Sequence, residues 1–279
     1  MDLHLSRTQT LTLYGVGTES QGRTDGRLLR TQGECEKIKL WIYWFQLCSS
    51  KLIRLTCDEE SFDSLSTCLP NIQNEIIDKH NALRRSVSPT ASNMLKMKWS
   101  EEAATNAQIW ADKCTLSHST SEYRKLNTST CGENLFMSSH AATWSSGIQA
   151  WFNESSNFIY GVGAKTKGAI IEHYTQVVWF SSSLVGCAVS YCPDAYQKYY
   201  YVCQYCPGGN IKDKINVPYL RGPRCAACPN DCDNGLCTNS CMYQDIYSHC
   251  KSLVASVGCK PDITKDNCKA PCKCQNKIY

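Results

Sequence analysis

The distribution of cysteine constrains the fold of this chain more than any other feature. Sixteen of its twenty cysteines lie between Cys114 and Cys274, and the last ten fall within residues 225–274. Because so short a segment contains few large apolar residues, its fold must depend on covalent cross-links rather than on a buried core. An even number of cysteines at this density predicts a disulfide framework that forms in an oxidising, extracellular compartment.

A zinc site is the alternative explanation for these cysteines. Cys225 and Cys228 have the spacing of half a zinc knuckle. A second pair at matching spacing is missing, and His249 is the only histidine in the region. The sequence therefore favours disulfides over metal.

The bulk composition argues against two classes of protein. The net charge of +4 is mild, and the lysines and arginines form no stripe of the kind that binds nucleic acid. No window approaches the roughly 18 consecutive apolar residues that cross a bilayer. We therefore expect neither a nucleic-acid partner nor a transmembrane segment.

Residues 1–70 are predicted to be an irregular extension without a clear signal peptide. The first thirty residues lack an apolar stretch, and the short run Leu40–Leu47 is the only candidate for one. An alternative leader and a weak internal secretion signal both stay open. We expect poor packing up to about residue 60 and protease cleavage ahead of Asn71. We assign no pairing to the four cysteines of this region, Cys35, Cys48, Cys57 and Cys68.

Three further segments follow the extension and differ in composition. Residues 71–214 have the composition of a globular domain. Residues 215–238 form a connector marked by proline and glycine, and residues 239–279 form a small cysteine-rich module. The chain is therefore predicted to contain one ordinary domain and smaller pieces.

The globular domain is predicted to combine helices with a small sheet. Apolar residues at helical spacing predict helices capped by Asn71 and Ser100, and a third from about Thr143 to Ile159. Tyrosine and valine dominate residues 186–192 and 198–206, which predicts an antiparallel hairpin. Together these elements indicate an α/β sandwich. The run 173–180 fits either a helix or a strand.

Four short motifs give the chain a resemblance to a known family. In chain order they are HNALR (His80–Arg84), GENL (Gly132–Leu135), EHYTQVVW (Glu172–Trp179) and YVCQYCPGGNI (Tyr201–Ile211). They resemble the superfamily of cysteine-rich secretory proteins, antigen 5 and pathogenesis-related proteins, and the ten C-terminal cysteines narrow the resemblance to the cysteine-rich secretory proteins. It covers about residue 71 to Tyr279. It implies a three-layer α-β-α sandwich, a disulfide hinge and a small toxin-like helical module, with a helix at 173–179.

The resemblance also implies a cleft that holds two histidines and two carboxylates. The matching residues are His118, Glu133, Glu154 and His173. Two imidazoles with supporting carboxylates suit weak Zn²⁺ binding, and a purely structural polar cluster is the alternative. No cofactor is required, and the set lacks a nucleophile for catalysis.

Other polar residues near these motifs carry separate expectations. His80 is expected to pack its helix rather than bind a ligand. Glu172 would add a negative charge at the cleft. Two sequons make Asn127 and Asn153 candidate glycosylation sites, and Asn127 is the better of the two because Asn153 adjoins Glu154.

The pairing of the sixteen later cysteines is implied by the resemblance, because sequence alone could not select it. The implied disulfides are Cys114–Cys192, Cys131–Cys206, Cys187–Cys203, Cys225–Cys232, Cys228–Cys237, Cys241–Cys274, Cys250–Cys268 and Cys259–Cys272.

The terminal module resembles small potassium-channel toxins. It carries six lysines against three aspartates, with Tyr243, Ile246, Tyr247 and Leu253 as possible contact groups. The resemblance implies a secreted, non-enzymatic regulator of ion channels, or a protein that binds cell-surface receptors in gamete interaction. A solvated lysine face is the plain alternative. A sterol or lipid carrier and a hydrolase that uses the cleft are the competing functions.

Overall fold

The computed structural model describes residues 60–279, with side chains from Phe62 onward. The chain divides into two units, Met1–Cys57 and Asp58–Tyr279, and the description that follows concerns the second. The predicted poor packing, the candidate signal Leu40–Leu47 and the cysteines Cys35, Cys48 and Cys57 all lie outside the described residues.

The secondary structure alternates helices and strands up to residue 206 and is mainly short and disulfide-linked after it. The helices are α1 (Glu60–Asp63), α2 (Pro70–Arg85), α3 (Glu101–Ala111), α4 (Trp144–Asn153), α5 (Glu172–Val177), α6 (Cys250–Val257), α7 (Asp262–Asn267) and α8 (Lys269–Lys273). The strands are β1 (Lys98–Trp99), β2 (Gly132–Ser138), β3 (Phe158–Ile159), β4 (Gly163–Ala164), β5 (Leu184–Tyr191), β6 (Tyr199–Cys206), β7 (Cys232–Asp233) and β8 (Leu236–Cys237).

A four-stranded sheet in the order β1-β5-β6-β2 forms the middle layer. Strands β5 and β6 pair antiparallel, as the predicted hairpin requires, and β2 adds to the other side of β6. Alternate residues of β5 and β6 face opposite sides. Val185, Cys187, Tyr201 and Tyr205 join the core against α2 and α4, whereas Ala188, Tyr200 and Val202 pack on α3. The molecule is therefore the α-β-α sandwich that the sequence predicts.

Helix α3 lies very close to the sheet at Gly186. A side chain there would place its first carbon 2.2 Å from the backbone nitrogen of Ala104. The helix begins where the sequence predicts, because the Ser100 side chain accepts a hydrogen bond from the Ala103 N–H at 3.2 Å.

The ends of the other two predicted helices differ from expectation. Helix α2 begins at Pro70, with Leu69 as its N-cap and no side-chain cap, so the predicted Asn71 cap is wrong. Proline suits the first turn of a helix because its missing N–H is not needed there. Helix α4 ends at Asn153 rather than Ile159, since the chain turns at Glu154 and enters β3.

Arg84, the last residue of the HNALR motif, connects α2 by hydrogen bonds to Leu95 and to the end of α5 and the loop that follows it. Its side chain is buried, and the guanidinium donates to the carbonyl oxygens of Leu95, Val177 and Trp179 at 2.7–2.9 Å. Burial lowers the pKa of Arg84 to about 9, which still leaves it charged at neutral pH. The motif thus serves packing: the guanidinium satisfies carbonyls that would otherwise lack donors.

Packing on the sandwich begins before the predicted boundary at Pro70. Leu65 is a buried core residue, and its carbonyl accepts a hydrogen bond from the Trp144 indole at 2.9 Å. Cys68, which the sequence left without an assigned partner, is disulfide-bonded. The predicted boundary at residue 70 is therefore too late, because Leu65 buries its side chain in the core and its carbonyl provides the hydrogen-bond acceptor for the Trp144 indole.

The connector 215–238 is bonded to the sandwich along much of its length. The N–H of Ser92 donates to Leu220 and the N–H of Cys237 donates to Met94, both at 2.8 Å. Tyr219 and Leu236 are buried in the main core. The segment implied to be a hinge is thus held against the edge of the domain.

The terminal module depends on its cross-links. Helices α6 to α8 are joined by three disulfides, and the buried cluster that joins them contains Cys241, Ala270 and Cys274. Among the described residues every cysteine is bridged, and the eight pairs found from Cys114 onward are those that the resemblance implies. No helix in the described range is long and apolar enough to span a bilayer.

Candidate functional site

Glu133 anchors one half of the predicted cleft. It lies on β2, and its fully buried carboxylate accepts hydrogen bonds from the His118 ring Nδ1 at 2.9 Å, the Ser119 N–H at 2.9 Å and the Ser119 hydroxyl at 2.7 Å. Burial raises the pKa of Glu133, but the hydrogen bonds from His118 and Ser119 outweigh burial and hold the pKa below its ordinary value. The carboxylate is therefore charged, and it fixes the orientation of the His118 ring.

Glu154 anchors the other half in the same way. Its carboxylate accepts hydrogen bonds from the His173 ring Nδ1 at 2.6 Å and from the backbone N–H groups of His173 and Tyr174 at 3.0 and 3.2 Å. Those N–H groups belong to the first turn of α5, where a helix has no acceptors of its own. One carboxylate therefore caps the helix and orients the ring that the helix carries.

Both histidine rings present the same nitrogen outward. Because Nδ1 of each ring donates to its carboxylate, Nε2 is left to accept a proton donor or to bind a metal. The His118 side chain is 57% exposed and the His173 side chain 29%. Among the described residues, no three of the ligand atoms of His118, Glu133, Glu154 and His173 lie within 4.8 Å of one another. The structure thus contains two oriented His–Glu pairs rather than a compact metal cage.

Asn134, which the sequence analysis did not single out, links the two halves. Its side-chain amide donates to the carbonyl oxygen of His173 at 3.0 Å and lies 3.5 Å from the Tyr205 hydroxyl. The Tyr205 hydroxyl in turn meets His80 Nε2 at 3.0 Å, while His80 Nδ1 donates to the Ile76 carbonyl at 2.8 Å. Asparagine next to Glu133 in the GENL motif was the only available signal for this role.

His80 has a structural role, as predicted. Burial lowers its pKa to about 4, so the ring is neutral at physiological pH. A neutral ring that donates through Nδ1 must accept at Nε2, which fits a donated hydrogen bond from the Tyr205 hydroxyl. The HNALR motif therefore supports the site through the hydrogen bonds that run from His80 to Tyr205 and from Tyr205 to Asn134.

Residues of three motifs, GENL, EHYTQVVW and YVCQYCPGGNI, contact one another around Gln176. The buried side chain of Gln176 in EHYTQVVW accepts a hydrogen bond from the Gly209 N–H at 3.1 Å. A side chain at Gly132 would put its first carbon 2.0 Å from the Gln176 Oε1 atom, and one at Gly209 would meet Trp179 at 2.6 Å. Glycine at both positions therefore lets α5 approach β2 and the loop after β6.

The remaining predicted residues lie on the surface. Glu172 is exposed, and its carboxylate accepts a hydrogen bond from the Ile171 N–H at 3.0 Å. Asn127 is exposed in a bend, whereas Asn153 is exposed at the end of α4 and accepts a hydrogen bond from Gln149 at 2.8 Å. Asn127 therefore has the freer side chain.

The clustered sulfurs of Cys225, Cys228 and Cys237 do not offer a metal site. The three lie within 4.8 Å of one another, but Cys225 is bridged to Cys232 and Cys228 to Cys237. A bridged sulfur is not the thiolate that a metal requires.

Comparisons with known proteins agree with this architecture. The family model described as "Cysteine-rich secretory protein family" matches residues 77–205, and the model described as "Crisp" matches residues 225–279. Cysteine-rich secretory protein 2 of Homo sapiens is 56% identical over 222 residues, which is 79% of this chain and 91% of that protein. This chain belongs to the cysteine-rich secretory protein family. Cysteine-rich secretory protein 3 of Homo sapiens is 54% identical, over 79% of this chain and 90% of that protein.

Solved structures of other proteins resemble the sandwich domain of this chain. One is the crystal structure of NaASP2 with Zn²⁺, whose sequence is 31% identical to this chain. The superposition covers 61% of this chain and 96% of the NaASP2 chain, with a TM-score of 0.50. Another is the crystal structure of Na-ASP-1, whose sequence is 29% identical to this chain. The superposition covers 60% of this chain and 46% of the Na-ASP-1 chain, with a TM-score of 0.51. Family membership and the disulfides indicate an extracellular protein.

Proposed function

We propose that this chain is an extracellular, non-enzymatic regulator of membrane ion channels that contacts its channel through the terminal module. The observation that carries the proposal is the exposure of apolar side chains on a covalently held scaffold. Ile246 is 69% exposed and Ile263 51%, although the module buries few apolar groups. A scaffold held by three disulfides can leave such side chains in solvent without losing its fold, and exposed apolar groups beside charges are typical of contact surfaces.

The lysines of the module supply the complementary charge. Lys260 and Lys265 are exposed, whereas the Lys251 amine lies 5.1 Å above the Tyr279 ring and the Lys273 amine 4.8 Å above the Tyr243 ring. Some cations are thus held against the module's own aromatic rings, and others project into solvent. Together they favour a partner with negative charge around an apolar contact, which a cation channel mouth offers.

Recordings of channel currents test this function. The full chain is applied to cells that express a panel of potassium and calcium channels, and Ile246→Ser with Tyr247→Ser is compared with Ile109→Ser. Ile109 is 49% exposed on α3 of the sandwich, so it controls for loss of an exposed apolar residue. We expect the module variant to lose potency by roughly tenfold or more, since each exposed anchor contributes about 1 kcal/mol or more at an interface, while Ile109→Ser keeps it. Equal potency of the two variants, or no response in the panel, would contradict the proposal.

Binding to a receptor on a gamete surface is the other role that family resemblance implies. It would require cell binding without any change of current. The same variants distinguish the two roles when binding to cells is measured beside the currents.

Several contacts argue against hydrolase activity. The Ser119 hydroxyl lies 2.7 Å from the Glu133 carboxylate, but it is buried and donates its hydrogen bond to that carboxylate. The lowered pKa of Glu133 makes that carboxylate a weak base for activating the hydroxyl. The cleft therefore lacks an activated nucleophile among the described residues.

A sterol carrier would need an apolar cavity. The depression between α2 and α4 has a volume of about 410 Å³, but five of the six residues that line it carry a polar or charged group, namely Lys79, Ser145, Ser146, Gln149 and Asn153, beside Ala150. Such a lining does not match a sterol, which buries an almost entirely apolar surface.

We also propose weak Zn²⁺ binding by His118 and His173. The donor set fits: each ring is oriented by a carboxylate through Nδ1, and Nε2 is available. The structural relative NaASP2, which was crystallised with Zn²⁺, supports the same chemistry. With two protein nitrogens, other positions stay open to water, so the affinity is modest.

Calorimetric titration with zinc tests this site. We expect His118→Ala with His173→Ala to abolish the binding heat, while His140→Ala, a change at an exposed histidine outside the cleft, leaves it unchanged. Zinc affinity retained by the double variant would place the metal elsewhere and leave the two pairs a structural role.

A further inference from the structure

Two segments of the chain form one surface beside the connector. The Gly161 N–H donates to the Asn216 carbonyl at 2.8 Å. The Tyr160 hydroxyl donates to the Tyr219 carbonyl at 2.7 Å and accepts from the Arg221 N–H at 3.2 Å. These bonds join Tyr160 and Gly161 to residues 216–221. We call residues 158–170 together with residues 211–221 the hairpin face.

The hairpin face exposes large apolar side chains. Val162 is 64% exposed, and five further isoleucine, valine and leucine side chains of this face are 41–58% exposed. The six are Ile159, Val162, Ile170, Ile211, Val217 and Leu220. The described residues contain thirteen exposed large hydrophobic side chains when tyrosine is included, so nearly half of them lie on these two short segments.

The backbone of the face explains this exposure. Strands β3 and β4 pair Ile159 with Gly163, which places Val162 in the three-residue loop between them. Gly161 and Gly163 adopt φ angles of +83° and +99°, which form the tight turn. Tyr160 points inward instead, with its ring centroid 5.2 Å from that of Tyr219. The inward tyrosine holds the hairpin, and its neighbours are left in solvent.

The same face is strongly basic. Its exposed cations are Lys165, Lys167, Lys212, Lys214 and Arg221, and Asp213 is its one carboxylate, which gives 5 − 1 = +4. The net charge of the whole chain is also +4, so all other residues together sum to zero. Glu172 flanks the face, and its carboxylate is bonded to the Ile171 N–H.

We propose that the hairpin face docks on an anionic phospholipid surface. Apolar side chains flanked by lysines suit the boundary of a bilayer, where the side chains enter the acyl region and the cations meet lipid phosphates. A sulfated polysaccharide would use the lysines but gain little from exposed isoleucine and valine. A lipid surface uses both features, and for that reason it is the partner that the face fits.

Docking on lipid is independent of the channel contact made by the terminal module. It involves different residues. Vesicles without any channel can therefore test it.

Cosedimentation of the full chain with phosphatidylcholine vesicles, with and without phosphatidylserine, tests the proposal. We expect binding to the anionic vesicles alone, weakened by salt. Lys165→Gln with Lys167→Gln should lower the partition coefficient by roughly tenfold or more, because each cation near an anionic surface contributes severalfold. Val162→Ser with Leu220→Ser should also weaken binding, since these side chains enter the bilayer.

Matched changes outside the face complete the experiment. Lys260→Gln with Lys265→Gln removes the same charge from the terminal module, and Ile109→Ser removes an exposed apolar group from α3. Both should bind like the unaltered chain. Equal loss in the control charge variant would show that net charge alone causes binding. Full binding by Val162→Ser with Leu220→Ser, together with capture on heparin, would show a polyanion site and overturn the proposal.

Discussion

Glu133 and Glu154 have the same role at two places in the cleft. Each carboxylate accepts one hydrogen bond from a histidine ring and others from backbone or hydroxyl donors nearby. Charge-assisted hydrogen bonds of this kind are stronger than neutral ones. Each carboxylate is less exposed than the histidine ring that it binds, and it fixes the orientation of that ring.

Glu133→Gln should lower stability in a pH-dependent way. The folded-state pKa of Glu133 lies below its ordinary value, so the unfolded chain takes up the proton first on acidification. The stabilising contribution is complete above the unfolded pKa of about 4.3 and is lost as the pH falls through the folded pKa. We expect the variant to lose about 1–3 kcal/mol in unfolding free energy at pH 7, and the difference to shrink as the pH falls below about 4.

Urea unfolding at several pH values measures this difference. Glu122→Gln is the control, because Glu122 is exposed and pairs only with exposed Lys125, a pair of the kind that contributes little. A loss for Glu133→Gln that stays constant from pH 7 to acid would show that shape, rather than charge, accounts for the change.

At the scale of elements, local signals predicted those parts of the fold that depend on nearby residues. The β5–β6 hairpin followed from two tyrosine- and valine-rich runs, and the start of α3 followed from Ser100. The end of α4 could not be predicted, because Glu154 leaves the helix to bond with His173, nineteen positions further along. Asn134 escaped notice for the same reason, since its partner lies on α5.

The four site residues were named through resemblance and not through any local pattern. His118 lies in a loop, Glu133 on a strand and His173 on a helix, so no periodicity connects them. Their pairing into two His–Glu units depends on tertiary structure. The boundary at Pro70 failed because the burial of Leu65 depends on Trp144, far away in sequence.

Gly132→Ala tests the interlock between β2 and α5. The added carbon would lie 2.0 Å from Gln176 Oε1, so Gln176 must move and release the Gly209 N–H. We expect a loss of about 1–3 kcal/mol in unfolding free energy. In a Gln176→Ala background the clash is absent, so the same glycine change should cost much less. Additive losses in this double-mutant cycle would place the strain elsewhere.

At the scale of the whole molecule, the sandwich acts as a support with surfaces of different chemistry. The cleft presents two imidazoles, the hairpin face presents lysines beside isoleucine and valine, and the terminal module presents apolar groups on a disulfide scaffold. The connector is bonded to the sandwich rather than free, so the module is joined to a defined edge of the domain. Activities at these surfaces should therefore be separable by substitution.

Separation of the cleft from the module is the central claim, and channel recordings with His118→Ala plus His173→Ala test it most directly. On a channel that the unaltered protein modulates, we predict that this double variant keeps its potency although it no longer binds zinc. The variant Ile246→Ser with Tyr247→Ser should show the reverse, with zinc binding intact and modulation lost. Loss of channel modulation in the folded histidine variant would contradict the account, because it would place the active surface in the cleft.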